Sequence, residues 1–165
     1  MTFQKHIATA EVTAFAQEYL SALSLIEHLH RLLLDLLKDE FERSGIDDIN
    51  AVQALLLFNV GNQEVTAGEL RSRGFYQGSN VSYNLKKLVE QGYMHHKRCD
   101  MDGRAVRVSV TDKGRDIARR VGNLFERHGR GLQDGSYLDF DTISMVNLGL
   151  RRVEKYWADQ IRYIY

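Results

Sequence analysis

The stretch SNVSYNLKKLVEQGYMHHKRCDMDGRAVRVSVT, residues 79–111, changes its apolar spacing from helical to alternating after Gly92. Before this glycine, four apolar residues share one helix face at i, i+4, i+7 and i+8, namely Val81, Leu85, Leu88 and Val89. After it, residues 93–98 and 105–111 alternate apolar and polar side chains, as half-buried strands do. The acidic turn DMDG, residues 100–103, is typical of a hairpin. The pattern therefore predicts a helix followed by a two-stranded hairpin.

A shorter helix is predicted immediately before this stretch. Thr66 and Glu69 have the spacing of a capping box, and Gly74 suits the C-terminal end of a helix. Together with the helix that begins near Ser79, this segment forms a helix-turn-helix, whose second helix enters the major groove of DNA with its N-terminal residues leading. Another helix, over residues 49–60, supplies the helical lobe that an isolated hairpin needs to pack on.

Two long amphipathic helices are predicted at the ends of the chain. From Tyr19 onward, apolar side chains and His30 are spaced 4, 3, 4, 3 and 4 residues apart, which is a heptad seam on a helix over about residues 9–43. The last helix covers residues 141–165 and carries one apolar stripe. Between the hairpin and that helix, helical spacing returns and is then expected to break in GRGLQDGS, residues 129–136.

The apolar stripes of the terminal helices predict a dimer interface. One lobe alone has a core too small to cover both stripes, so burial between two chains is favoured. Pairing of the two helices within one chain is the alternative. The predicted interface residues are Tyr19, Leu23, Ile26, His30, Ile143, Val146, Leu150, Val153, Trp157 and Ile161.

The composition is that of a soluble globular protein, with 44% hydrophobic and 27% charged residues in a chain of 165. Apolar runs are short, such as residues 54–58, so no transmembrane helix is expected, and the N-terminus lacks the basic and apolar blocks of a secretion signal. The single cysteine, Cys99, excludes an internal disulfide framework and fits a reducing compartment. A cytoplasmic location is therefore expected.

The charge is unevenly distributed along a chain whose net charge is zero. Residues 1–64 carry 4 Lys and Arg against 10 Asp and Glu, a net of −6. Residues 65–130 carry 14 against 7, a net of +7, and residues 131–165 carry 4 against 5. A basic middle segment indicates a polyanionic partner, with an ordinary solvated charged face as the alternative.

The outward face of the helix near residues 79–91 carries hydrogen-bonding side chains near its start and cations further along. Amide and hydroxyl groups can bind base edges or phosphates, whereas lysines mostly neutralise phosphates. In the hairpin, Arg104 is predicted to enter a narrow minor groove, oriented by Asp102. A solvated surface is the alternative for both elements. The predicted DNA-contacting residues are Gln77, Ser79, Asn80, Ser82, Tyr83, Lys86, Lys87, Arg98, Asp102, Arg104 and Arg107.

No catalytic constellation, metal site or cofactor is predicted. The sequence contains no GxSxG, P-loop or Rossmann motif. His95 and His96 are adjacent and so point to opposite faces of a strand, and no second group of ligands lies at metal-binding spacing. The paired acids Asp47–Asp48 and Asp139–Asp141 lie near helix starts, where they are expected to act as caps.

Three segments resemble the MarR family of winged-helix transcription regulators: VTAGEL at 65–70, SNVSYNLKKLVEQGYMHHKR at 79–98 and DGRAVRVSVTDKG at 102–114. The last is similar to the family's wing pattern of Asp, any residue, Arg, an alternating strand and a Thr-x-x-Gly helix start. The resemblance covers nearly the whole chain, and residues 76–88 further resemble an alphaproteobacterial subgroup. One departure is Tyr83, which follows Ser82 where the family commonly has an arginine. Tyr83 is therefore expected to contact a phosphate or a thymine methyl group rather than guanine.

The resemblance implies a homodimer, joined by the first and last helices, whose two lobes bind a pseudo-palindromic DNA site. It also implies release of that site when a small, often aromatic, effector molecule binds between the lobes. Oxidant-sensing cysteines of some relatives lie in the N-terminal region, unlike Cys99, so a sensor role is the less favoured interpretation.

The expected fold is mainly α with a small β-hairpin wing. It divides into an N-terminal dimerisation helix (1–45), a winged helix-turn-helix DNA-binding lobe (46–118) and C-terminal helices that complete the dimerisation region (119–165). The predicted function is a sequence-specific double-stranded-DNA-binding transcription regulator, with repression as the expected effect and no enzymatic activity. Two alternatives remain: a non-specific architectural DNA-binding protein, and a winged-helix module that binds another protein.

Overall fold

The computed structural model describes residues 2–72, 78–98 and 106–164, with their side chains except at 2–12, 67, 71–72, 78–80, 98, 106 and 164. Within those ranges the chain forms six helices and three strands. They are α1 (Thr2–Arg43), α2 (Ala51–Val60), β1 (Val65–Thr66), α3 (Ala67–Ser72), α4 (Gly78–Glu90), β2 (Met94–Arg98), β3 (Val106–Val110), α5 (Asp112–Asp134) and α6 (Phe140–Ile164). This mainly helical fold with one small antiparallel sheet confirms the predicted fold class.

The chain divides into two compact units, Met1–Val121 and Gly122–Tyr165, with the boundary inside α5. In the first unit, the C-terminal end of α1 packs on α2, helix α4 packs on α2 and on α3, and α2, α3 and α4 each pack on the sheet. Each helix contributes fully buried side chains to this core, namely Leu37, Leu56, Leu57, Leu70, Val81 and Leu88. None of the described helices is both long and apolar enough to cross a bilayer.

Strand β3 is the middle strand of the sheet, with β1 and β2 antiparallel on either side of it. The register pairs Met94 with Val110 and His96 with Val108. Residues two apart therefore share a face, and Met94, Val108 and Val110 are all buried. The alternation predicted from the sequence thus places Val108 and Val110 of β3 against the core.

Two helices extend beyond their predicted ends. Helix α1 begins at Thr2, and α5 continues through the predicted break to Asp134. A glycine inside a helix costs only about 1 kcal/mol relative to alanine, which the rest of a long helix can outweigh. The chain leaves the helix at Ser136, with φ 57°, where the Tyr137 amide donates to the Leu132 carbonyl at 3.0 Å.

The predicted C-terminal end of α1 and the predicted N-terminal cap of α3 are formed by the expected residues, and Gly74, the predicted end of α3, lies outside the described residues. Gly45 follows α1 with φ 67°, a left-handed conformation that glycine adopts without strain. At α3, the Thr66 amide donates to Glu69 Oε2 at 2.5 Å, and the Glu69 amide donates to Thr66 Oγ1 at 3.1 Å. This confirms the capping box. Thr66 also belongs to β1, a strand too short for its alternation to be seen in the sequence.

The prediction that Asp47–Asp48 caps α2 is wrong. Asn50 is the N-cap residue, because its side chain accepts from the Gln53 amide at 2.9 Å and its own amide donates to Gln53 Oε1 at 3.1 Å. Asn50 lies directly before the helix, whereas Asp48 is two residues too early to reach the free amides. At α6, Asp139 accepts from the Thr142 amide at 2.7 Å, which confirms that predicted cap.

Candidate nucleic-acid interface

Helix α4 buries one face and exposes the other. Val81 and Leu88 are fully buried, whereas Ser82 and Lys86 are exposed and Tyr83 has 61% of its surface exposed. The buried residues follow the predicted apolar spacing, and packing on α2, α3 and β2 fixes which side faces outward. Hydroxyl, phenol and ammonium groups therefore share one accessible surface of this helix.

The two lysines of α4 share a single carboxylate near the end of the helix. Lys86 Nζ lies 3.8 Å from Glu90 Oε1, and Lys87 Nζ lies 3.0 Å from Glu90 Oε2. The hydrogen bond between Lys87 and Glu90 raises the pKa of the lysine and lowers the pKa of the glutamate. The three side chains carry a net charge of +1, and a phosphate approaching either lysine would compete with Glu90 for it.

The N-terminal tip of α4 holds two of the predicted contact residues, Ser79 and Asn80. The first turn of any helix has amides without an intrahelical partner, which can bind a phosphate. The side chains of Ser79, Asn80 and Arg98 are not described, and Arg98 is the last residue of β2. Gln77, Asp102 and Arg104 lie outside the described residues, as does Cys99.

The outer face of the sheet brings further cations together. Lys97 of β2 lies directly opposite Arg107 of β3, and His95 lies opposite Ser109 on the same face. Like charges directly opposite each other in a sheet are destabilising, so an anionic partner would relieve the pair. From the sequence, Arg107 and Lys97 are both predicted to flank the DNA backbone, whereas His95 is not predicted to take part. Applying the strand alternation outward from Arg107 would have identified His95.

A group of polar residues holds the C-terminal end of α4; we name it the Asp48 cluster (Asp48, Gln91, Tyr93, Thr111 and Lys113). The Tyr93 hydroxyl donates to Asp48 Oδ1 at 2.6 Å, and Lys113 Nζ lies 3.0 Å from Asp48 Oδ2. Lys113 Nζ is also 3.9 Å from the centroid of the Tyr93 ring. Gln91 Nε2 donates to the Asp48 carbonyl at 2.7 Å. One carboxylate is therefore joined to both the end of α4 and the start of α5.

The proton equilibria of the cluster reflect these contacts. The hydrogen bond from Tyr93 is the main cause that lowers the pKa of Asp48. Burial, and then the hydrogen bond to Asp48, raises the pKa of the Tyr93 phenol, while the hydrogen bond to Asp48 raises the pKa of Lys113. Asp48 is thus held as a carboxylate and Lys113 as an ammonium group at neutral pH.

The beginning of α5 lies against the segment that follows α4. The Thr111 amide donates to the Tyr93 carbonyl at 3.1 Å, and the Gly114 amide donates to Thr111 Oγ1 at 3.1 Å. A Cβ atom at Gly114 would collide with the Tyr93 carbonyl oxygen and lie 2.6 Å from Val110 Cγ1. Glycine is therefore required here by close approach of the two backbones.

Known proteins share this winged-helix arrangement. Residues 49–114 match the family model of a winged helix DNA-binding domain. Streptococcus pneumoniae FabT, solved in complex with DNA, is similar with a TM-score of 0.68 and 20% identity, covering 86% of this chain and 99% of that chain. A MarR transcriptional regulator from Methanosarcina mazei Go1 has a TM-score of 0.68 and 20% identity, covering 86% of this chain and 98% of that chain.

A curated relative gives the deciding similarity. The exopolysaccharide II synthesis transcriptional activator ExpG of Rhizobium meliloti (strain 1021) is 31% identical over 145 residues, which cover 88% of this chain and 74% of ExpG. The chain belongs to the MarR family of winged-helix transcription regulators. The relatives of this MarR-family chain are transcription regulators rather than enzymes, in line with the interpretation of the sequence.

The predicted dimer residues of this MarR-family chain are largely accessible within the single chain. On α1, Tyr19 and Leu23 are half-buried and Ile26 and His30 are exposed. On α6, Val153 is half-buried, and the others are exposed, namely Ile143, Val146, Leu150, Trp157 and Ile161. Helix α1 also exposes a row missing from the prediction, Leu25, Leu29, Leu32 and Leu36. This row has the same heptad spacing one position earlier, which is the signal that would have identified it.

A cavity of about 1240 Å³ lies between α1, the loop before α2, α2 and α4. Its apolar lining includes Leu34 and Leu55, and its polar lining includes His30 and Lys38. Tyr83 of α4 also lines it. An occupant of this cavity would therefore contact a residue that the sequence predicts to touch DNA.

Proposed function

We propose that this chain is a sequence-specific, double-stranded-DNA-binding transcription regulator that acts as a homodimer. The observation that carries the proposal is α4, a helix packed in a winged-helix lobe by one apolar face, with Ser82, Tyr83 and Lys86 on the accessible face. A helix of this kind enters the major groove and contacts base edges and phosphates with its outward side chains.

The electrostatics support an anionic partner. Lys97 and Arg107 lie opposite each other on the outer face of the sheet. They belong to β2 and β3, and α4 packs on β2. Helices α3 and α4 and the sheet lie in the basic segment, residues 65–130, and the flanking segments carry net negative charge. Solved relatives with this fold have been crystallised with DNA, including Streptococcus pneumoniae FabT. Phosphate neutralisation by such cations gives affinity, and α4 would supply base recognition.

The direct test is to identify DNA fragments bound in the native cell and to measure affinity for them against random duplex at several salt concentrations. A sequence-specific regulator should prefer its own site by about 10³-fold or more. Equal affinity for all duplexes would favour the architectural alternative. No binding to any duplex at low salt would favour the protein-interaction alternative.

Arg104 is the predicted minor-groove residue of the wing, and Arg104→Ala tests it. We expect about tenfold weaker binding and a salt slope shallower by about one, because one cation is removed from the groove. Fold and dimerisation should be unchanged. Arg152→Ala in α6 is the matched control and should leave affinity unchanged. Unchanged affinity of the Arg104→Ala protein would reject the groove contact.

The homodimer is supported by the apolar side chains that α1 and α6 leave exposed, including Leu29, Leu150 and Trp157. Burial of such side chains against a second copy is the common use of accessible apolar stripes on helices. A two-fold dimer would place its two α4 helices about one DNA turn, ~34 Å, apart and would bind a pseudo-palindromic site. Sedimentation equilibrium measures the stoichiometry of both the protein and its DNA complex.

The direction of regulation is proposed to be repression, by occupation of the promoter. Activation is the second candidate, favoured by the 31% identical relative, which is a transcriptional activator. Transcription from a target promoter in cells with and without the protein separates the two. Repression predicts higher transcription in its absence, and activation predicts lower transcription.

We also propose that the cavity beside α4 binds a small-molecule effector that weakens DNA binding. An occupant would contact both Leu55 of α2 and Tyr83 of α4, so it would bias the helix that carries the DNA contacts. A panel of small aromatic carboxylates can be screened by thermal shift and by release of the DNA site. Leu55→Trp, which places a larger side chain in the cavity lining, should weaken the response to any active compound that contacts Leu55.

A further inference from the structure

The C-terminal end of α4 is bound to two segments that lie far from it in sequence. Asp48 precedes α2, and Lys113 lies in the first turn of α5. Both meet at Tyr93, which is only 2% exposed and donates its hydroxyl to Asp48 at 2.6 Å. The ammonium group of Lys113 completes the contact, at 3.0 Å from the same carboxylate and 3.9 Å from the Tyr93 ring.

The main chain that follows α4 is held by the same residues. Lys113 Nζ donates to the Gln91 carbonyl at 3.2 Å, and Thr111 Oγ1 donates to the Gly92 carbonyl at 2.8 Å. Three consecutive carbonyl groups, those of residues 91–93, therefore accept from the start of α5. Gln91 in turn donates to the Asp48 main chain. The end of α4 is thus bonded on both sides, to the loop before α2 and to α5.

These contacts lie at the end of α4 that is remote from its DNA-facing tip. The helix spans 13 residues, which at 1.5 Å per residue separates its two ends by about 18 Å. A tilt of about 10° at the held end would move the tip by about 3 Å, well beyond the tolerance of a hydrogen bond. The angle of α4 therefore decides whether its tip residues can reach base edges.

We propose that Asp48, Tyr93 and Lys113 are positioning residues that set the angle of α4 and so control DNA affinity without contacting DNA. The inference rests on the proposed DNA-binding function. Its competitor is a direct role, in which Lys113 neutralises a phosphate and Asp48 merely lowers the local positive potential. The two accounts predict opposite signs for Asp48→Asn. Removing a negative charge strengthens DNA binding if charge alone matters, whereas loss of the positioning contact weakens it.

The test measures duplex affinity and its salt slope for the wild type and for Asp48→Asn, Tyr93→Phe and Lys113→Met. Asp47→Asn is the matched control, since it makes the same charge change one residue away, at an exposed position. Asp48→Asn should bind about 3- to 10-fold more weakly with the salt slope unchanged, whereas Asp47→Asn should bind as the wild type or slightly better. Lys113→Arg should restore most of the affinity that Lys113→Met loses.

A second measurement reports on α4 itself. Amide hydrogen exchange of residues 88–93 should accelerate in Asp48→Asn and Tyr93→Phe and remain unchanged in Asp47→Asn. The double variant Asp48→Asn/Lys113→Met should lose less affinity than the sum of the two single losses, because the contact between Asp48 and Lys113 is lost in both single variants. Measurements well below the melting temperature of each variant ensure that the affinities do not reflect unfolding. If the other variants fail to fold, Tyr93→Phe still tests the role, because it removes only one hydroxyl group.

The outcomes separate the inference from the function on which it rests. If the wild type binds no duplex, the proposed function fails, whatever the exchange data show. If the wild type binds and Asp48→Asn binds as tightly as Asp47→Asn, the positioning role is overturned. It is also overturned if Lys113→Met lowers the salt slope by about one while Tyr93→Phe is neutral, because that result identifies Lys113 as a phosphate contact.

Discussion

The winged-helix lobe and helix α6 contain the same apolar residue types but bury them to very different extents. In the lobe, Leu56, Leu57 and Leu88 are fully buried within the chain. On α6, Leu150 and Trp157 remain 41% and 43% exposed. Both regions have amphipathic helices. Their apolar periodicity predicts that the apolar face of each helix is buried, but it does not indicate whether the same chain or a second chain covers that face. The lobe buries its apolar face within the chain, whereas the apolar stripe of α6 stays accessible.

The largest expected effect comes from a charge placed in the α6 stripe. Leu150→Asp would put an unpaired carboxylate into the proposed interface twice, because the dimer is two-fold symmetric. Each such charge costs about 3–5 kcal/mol, so the dimer should weaken by at least ~6 kcal/mol and DNA affinity should fall with it. Sedimentation equilibrium over a range of concentrations measures the dissociation.

The matched control for this substitution is Lys155→Asp. Residue 155 is exposed and lies about 140° around the helix from residue 150, away from the stripe. The control should dimerise as the wild type does. A Leu150→Asp protein that stayed dimeric would show that the α6 stripe has another use, and the contrast with the lobe would need a different explanation.

The next effect compares one leucine from each region. Leu57→Ala removes a side chain that is fully buried in the lobe, and should lower the free energy of unfolding by about 2–5 kcal/mol. Leu148→Ala removes a leucine of α6 that is 47% exposed and lies off the predicted stripe. This substitution should change the free energy of unfolding by less than about 0.5 kcal/mol. Urea unfolding at one protein concentration measures both. Equal losses would contradict the assignment of the core to the lobe.

A smaller effect is expected at the N-cap of α2. Asn50→Ala removes one half of the capping box, because the side chain at residue 50 no longer accepts from the Gln53 amide, while the backbone amide of residue 50 can still donate to Gln53 Oε1. The free energy of unfolding should fall by about 1 kcal/mol. Asn123→Ala, at an exposed position inside α5, is the control and should have little effect. If the two variants were equally stable, the cap would contribute nothing to the lobe.

The smallest expected effect is the response of the lobe to acid. Because the pKa of Asp48 is lowered by its hydrogen bond from Tyr93, its contribution is fully present above the ordinary aspartate value of 3.8. The contribution is lost as the pH falls through the lower, folded value. Asp48 is about half exposed, so solvent screening limits the effect to less than ~1 kcal/mol.

Unfolding free energies between pH 6 and pH 2 should therefore decline less steeply for Asp48→Asn than for the wild type. Parallel curves for Asp48→Asn and the wild type would show that the carboxylate gains nothing from Tyr93 and Lys113 in the folded state.

Much of the fold could be predicted because local chemistry decides it. The Thr66–Glu69 capping box, the end of α1 at Gly45 and the inward Val108 and Val110 of β3 all follow from residues close together in sequence. The wrong cap was predicted for α2 because nearby residues of the same chemical type can both serve as an N-cap. Asp48 and Asn50 are both good caps, and only the backbone conformation at Asn50, with φ −94° and ψ 166°, selects it. Gln53 three residues later was the available signal.

The candidate site was predictable on α4 and less so elsewhere. Tyr83 and Lys86 face outward because the apolar spacing of α4 leaves them no other face. The Asp48 cluster could not be predicted, since it joins residues 48, 93 and 113 through tertiary contacts that no short motif encodes. The cross-strand pairing of Lys97 with Arg107 likewise depends on a register that only the folded hairpin fixes.

The close approach at Gly114 makes the junction between the hairpin and α5 tightly packed. Since the Tyr93 backbone and Val110 leave no room for even a methyl group there, the first turn of α5 cannot slide or rock against the strands. The first turn of α5 and the strands beside it are therefore expected to move together. A larger residue at position 114 would push the first turn of α5 away from the strands. The orientation of the hairpin would then no longer be fixed by the orientation of α5.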